Sequence, residues 1–143
     1  MHYKKLLSMS MLSFIAMFIL MYLMVDTYAN VYININQFYM AGIMTIPMIL
    51  IELWLMGAMY TNKKLNTIII FSSITIFGVL ILCMRKQTAV NDQAFLKSMI
   101  PHHAAALLMC KEAQLQDPEL KQLCENIRRT QRSEIDFMKS KLR

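Results

Sequence analysis

Three long apolar runs set the terms for everything this chain can fold into. Residues 6–25 are 20 positions without a charge, residues 38–60 are 23 with one, Glu52, and residues 67–84 are 18 with none. At about 1.5 Å of rise per residue, each run is long enough as a helix to cross a hydrocarbon layer of roughly 30 Å. Backbone groups have no water to bond in lipid, so segments of this kind satisfy themselves as helices. The expectation is an integral membrane protein with the lipid bilayer as its first partner. Lys4 and Lys5 precede the first run in the manner of a signal peptide. Its apolar core is too long for one, however, and Thr27-Tyr28-Ala29 is a poor cleavage site, so we read an uncleaved anchor.

The distribution of charge gives an orientation. The net charge of +6 divides into +4 over residues 1–87 (six Lys/Arg, two acids) and +2 over residues 88–143 (nine Lys/Arg, seven acids). Lys4 and Lys5 lie before the first run and Lys63 and Lys64 between the second and third, while residues 26–37 hold no Lys or Arg. Positive flanks favour the cytoplasmic side. The amino terminus is therefore expected inside, and three crossings put residues 88–143 in a periplasm or its equivalent. Arg85 and Lys86 argue weakly the other way. No basic face with aromatic platforms accompanies the charge, so no nucleic-acid partner is expected.

Residues 1–87 thus read as a three-helix anchor and residues 88–143 as a separate domain, an all-α architecture throughout. Val31, Ile33 and Ile35 alternate, over too short a stretch to specify a strand. Asn91 and Asp92 can cap a helix with apolar positions Phe95, Leu96, Met99, Ile100, Ala106 and Leu107, ending near Gln114. Pro101 inside it predicts a kink or a restart. Asp117-Pro118-Glu119 opens a second helix with an N-cap, a proline in the first position and an acid in the first turn. Leu120, Leu123, Ile127, Ile135, Met138 and Leu142 supply its apolar face. Two helices alone bury little core, so the hairpin is expected to pair with a second copy, as a four-helix bundle, or to lie against the spans.

The first tail helix gathers its reactive side chains on one side. At about 100° per residue, Asp92, Met99, His103 and Cys110 fall within an arc of about 40°, with His102 and Met109 about 60–80° from Met99. Thioether and thiolate favour Cu(I), imidazole suits copper, and carboxylate oxygen does not select it. His102 and His103 project about 100° apart, so one can ligate while the other serves a second helix, a second copy or a supporting contact. Met99 and Met109 as core filler, with a structural histidine, is the plainer alternative. Cys110 and Cys124 stand nearly symmetrically about the turn and can form a disulfide, bind a soft metal or remain free thiols. Cys83 reads as packing within the third run.

The frame Asp92-x-x-Phe95-Leu96-x-x-Met99-Ile100-Pro101-His102-His103, followed by Ala106 and Met109, resembles the signature of the DUF305 family. Pro118-Glu119-Leu120, Ile127, Gln131, Glu134-Ile135 and Met138 continue the resemblance over about residues 91–143. Members are mostly secreted or membrane-attached bacterial proteins with a ferritin-like helical fold built from paired two-helix repeats, and some bind copper through Met and His. The resemblance implies Met99, His102, His103 and Met109 as copper ligands. With a single repeat in this chain, it also implies a homodimer through the hairpin.

Twelve of the 15 methionines lie in residues 1–84. Met40, Met44 and Met48 share a face of the second span, and Met17, Met21 and Met24 one of the first. They are either a thioether ladder for Cu(I) or ordinary lipid-facing packing. Glu52, near Pro47, is a functional candidate because a charge within lipid is costly. A di-iron enzyme would need a Glu-x-x-His pairing, which the chain lacks, and neither a Ser/His/Asp set nor a phosphate loop occurs. The expectation is therefore a binding protein and not an enzyme. It would hold Cu(I), or Ag(I), outside the cytoplasm for tolerance or delivery, with a copper-handling protein as partner. The alternative is a metal-independent accessory subunit whose tail docks on another protein.

Overall fold

A computed structural model describes residues 2–142. The chain is helical: α1 (His2–Leu20) runs into a 3-10 turn (Met21–Met24), a second such turn covers Tyr28–Asn30, and α2 (Ile35–Leu55), α3 (Lys63–Arg85), α4 (Asp92–Glu112) and α5 (Pro118–Lys141) follow. No strand occurs among the described residues, so the Val31/Ile33/Ile35 alternation does not become one. Three segments, His2–Met24, Ile35–Leu55 and Lys63–Arg85, are long and apolar enough to cross a membrane. Leu12, Trp54 and Phe71 are among the large apolar side chains they expose.

The chain forms two compact units. One contains α1, most of α2 and all of α3, and ends at Thr88. Within it, α2 stops five residues short of Tyr60, because Gly57 and its neighbours form tight turns, Met59 N–H to Met56 O at 2.8 Å and Tyr60 N–H to Gly57 O at 3.2 Å. Glu52 therefore occupies the last turn of α2 and not the middle of a span. Tyr60 folds back, buried, and donates its hydroxyl to Glu52 Oε1 at 3.1 Å. Tyr3 of α1 stacks obliquely on Tyr60, with ring centroids 5.3 Å apart, and donates to Asn66 Oδ1 of α3 at 2.7 Å. Asn66 Nδ2 in turn donates to Tyr60 O at 2.7 Å. All three helices are thus tied by one polar cluster beside buried Leu6 and Leu53. Gly42 lets α2 and α3 come close, since a Cβ there would meet Leu80 Cδ1 at 2.6 Å.

α3 ends in a Schellman arrangement. Thr88 N–H reaches Cys83 O at 2.9 Å and Gln87 N–H reaches Met84 O at 3.3 Å, with Gln87 left-handed at φ 51°. Ala89 is left-handed as well, at φ 59°.

The second unit joins Tyr22–Ile35 to the segment from Ala89 onward. Its hairpin follows the caps. Asn91 accepts from Ala94 N–H at 2.9 Å, and Asp117 accepts from Glu119 and Leu120 N–H at 2.7 and 3.3 Å. α4 is one unbroken helix through buried Pro101 and does not restart there. Ile100, Ala104 and Leu107 of α4 pack on Ile135 and Met138 of α5. The third wall is one the sequence reading omitted. Val25 and Tyr32, from the segment ahead of α2, pack against this cluster. Tyr22 hydroxyl to Tyr32 O at 3.0 Å and Asn30 Nδ2 to Asp26 Oδ1 at 2.6 Å hold that segment in shape. The apolar face expected on α5 is covered only in part: Ile135 and Met138 are buried, while Leu120 and Leu123 are exposed.

Candidate functional site

α4 carries the six residues that the sequence singles out, and their places differ. Met99 is half-buried against the hairpin core. His103 is turned inward, its side chain 12% exposed, and its Nε2 lies 2.8 Å from Glu134 Oε2 of α5. The other ring nitrogen, Nδ1, is buried without a hydrogen-bond partner. His102 is exposed, its ring centroid 6.1 Å from that of His103 at an interplanar angle of 61°. Met109 is exposed, and Asp92 stands exposed at the first residue of the helix.

Cys110 requires a correction. It forms a disulfide with Cys124, Cα–Cα 5.2 Å, across the hairpin. In that state it offers no thiolate to a metal. Of the alternatives the spacing left open, the cross-helix bridge is the one adopted.

Sharing a face is also not the same as converging on a point. Asp92 and Cys110 are 18 residues apart, about 27 Å along a helix axis, and His102 and Met109 are separated by about 10 Å. Among the described residues no group of three or more His, Cys, Asp or Glu side chains is placed to hold a metal. Met99, His102 and His103 lie within about one turn, and Met99 and His103 at i, i+4 share one side. A thioether and an imidazole at that spacing form the part of the expected set that helix geometry can bring to one ion.

Glu134, which the sequence reading did not single out for a role, is the residue of α5 that meets His103. The signal for it was present. If Cys110 faces Cys124 in an antiparallel pair, position 103, seven residues earlier, faces position 131, and Glu134 is one turn further along α5. A carboxylate on one imidazole nitrogen fixes the ring's tautomer and orientation, the arrangement found behind metal-bound histidines.

The methionine faces of the first two spans divide by exposure. Met24 and Met44 are exposed and Met17, Met21, Met40 and Met48 half-buried. Cys83, within α3, is a free, half-buried thiol.

A family described as a domain of unknown function (DUF305) matches residues 83–143. An uncharacterized protein of Acanthamoeba polyphaga mimivirus is 34% identical over 140 residues, covering 93% of this chain and 90% of its own. That similarity takes in the three apolar helices as well as the hairpin. No solved structure matches.

Proposed function

The chain belongs to the DUF305 family, and from that premise we propose a membrane-anchored protein that holds Cu(I), or Ag(I), outside the cytoplasm for tolerance or delivery. The observation that carries this reading is His103, with Nε2 on a carboxylate and Nδ1 buried and unpartnered. Met99 shares its side of α4 one turn away, and His102 adjoins it. A thioether with imidazole is a soft donor set that suits Cu(I) and discriminates against Mg(II) or Ca(II). Met109, two turns from His102, serves as an outer ligand or an entry point. Asp92 and the disulfide-bound Cys110 drop out of the primary set. The role is binding and not catalysis.

The disulfide supports an oxidising compartment for the hairpin. The charge asymmetry supports a cytoplasmic amino terminus and a periplasmic or extracellular tail, the arrangement of a bacterial inner-membrane protein. A homodimer through the hairpin would cover the exposed side chains of Leu120, Leu123 and Phe137. Those same side chains favour a second reading, a metal-independent accessory subunit docking on another protein.

The test is a competitive Cu(I) titration of the full chain in detergent under mild reduction, with Zn(II) as control. Sub-micromolar binding that the His102→Ala/His103→Ala variant loses is expected. Equal weak binding by both proteins would sink the copper reading and leave the docking subunit.

A further inference from the structure

Lys111 of α4 and Arg128, Arg129 and Arg132 of α5 line a cavity of about 500 Å³ in the second unit. Asp26, Thr27 and Glu125 belong to the same lining. Four cations thus meet two carboxylates, and both carboxylates are already engaged. Asp26 Oδ1 accepts from Asn30 Nδ2 at 2.6 Å and from Thr27 Oγ1 at 3.4 Å. Glu125 Oε2 accepts from Arg128 at 3.3 Å. Lys111 reaches Glu112 at 3.0 Å. Arg129 and Arg132 have neither an ion pair nor a hydrogen bond among the described residues, and at i, i+3 they share one side of α5.

Two unpaired guanidinium groups facing one hollow repel each other, and an anion between them removes that cost. The planar fork of each guanidinium matches two oxygens of a phosphate group. The position of the cavity narrows the source of that phosphate. Asp26 and Thr27 follow Met24, the last residue of the first apolar segment, by two and three residues. That is at most about 10 Å of chain. A lipid headgroup layer adds roughly 5–7 Å to each side of the hydrocarbon core, so on the membrane reading Asp26 and Thr27 stand within or just beyond the headgroups.

We propose that this cavity is a phosphate-anion site, and that its ligand is the headgroup phosphate of an anionic phospholipid. The source rests on the membrane reading, and the site is independent of the copper reading. Occupancy would order Arg129 and Arg132 and seat the hairpin and the Tyr22–Ile35 segment on the membrane surface.

The experiment is native mass spectrometry of the full chain in neutral maltoside detergent, titrated with phosphatidylglycerol, with phosphatidylcholine and with inorganic phosphate. Wild type is compared with Arg129→Gln/Arg132→Gln and with the charge-matched Lys97→Gln/Lys121→Gln. Circular dichroism establishes that each variant is folded, and flotation with phosphatidylcholine vesicles tests membrane insertion separately. Phosphatidylglycerol is expected to bind on the order of tenfold more tightly than phosphatidylcholine, a preference lost in the arginine variant and kept in the lysine variant. Arginine-dependent binding of inorganic phosphate without a lipid preference would uphold the anion site and overturn the lipid source. Lipid preference and phosphate binding that are both unchanged in the arginine variant would overturn the site itself.

Discussion

His103 and Glu134, 31 residues apart in sequence, meet across the tail hairpin with Nε2 and Oε2 separated by 2.8 Å. The other imidazole nitrogen, Nδ1, is buried without a hydrogen-bond partner. Glu134→Gln is expected to weaken Cu(I) binding by about tenfold or more while retaining the fold, the effect of removing the carboxylate behind a metal-bound imidazole. His103→Ala should weaken it further. A chelator competition series over wild type and both variants measures this. Unchanged affinity in Glu134→Gln would show that the carboxylate serves only the hairpin.

The Cys110–Cys124 bridge closes a loop of about 15 residues, for which loss of the cross-link costs about 3 kcal/mol. Cys110→Ser should lower the thermal midpoint of the hairpin, read by circular dichroism in detergent. Added dithiothreitol should lower the midpoint of the wild type and leave that of the variant where it is.

Ile100 is fully buried at the centre of the hairpin core. Ile100→Ala is expected to destabilise by about 3 kcal/mol, through lost burial and the cavity left behind. Leu123→Ala, at an exposed site on α5, should fall within about 0.5 kcal/mol in the monomer. A larger loss there that depends on protein concentration would reveal the second copy.

Ala89 holds φ 59°, where a Cβ is costly and glycine is not. Ala89→Gly is expected to stabilise the chain by about 1 kcal/mol and Ala89→Val to destabilise it. Paired thermal melts of the two variants check the sign.

Tyr60→Phe removes the hydroxyl donated to Glu52 and should cost about 1 kcal/mol. Glu52→Gln keeps an acceptor for Tyr60 and should cost less. Glu52→Ala removes the acceptor, and if it and Tyr60→Phe are additive in a double-mutant cycle, the hydrogen bond contributes nothing measurable.

Much of this was legible in the residues because it is local. Asn91 and Asp117-Pro118 marked the helix starts, because an N-cap acts on backbone groups two or three positions away. The second apolar run misled at its end, since hydropathy extends to Tyr60 while Gly57 and its turns stop the helix at Leu55. Pro101 suggested a kink or a restart; α4 does not restart there, and Pro101 lies buried within one continuous helix.

The sequence by itself determined an all-helical chain, three helices long and apolar enough for a membrane, and a capped two-helix tail. Apolar run length and cap chemistry act within a few residues, so order along the chain suffices to read them. Tertiary structure decided that Val25 and Tyr32 wall the hairpin core, that Cys110 meets Cys124, and that Glu134 stands behind His103. Those contacts join positions from 14 to more than 70 residues apart, and their register is set only when the apolar faces pack.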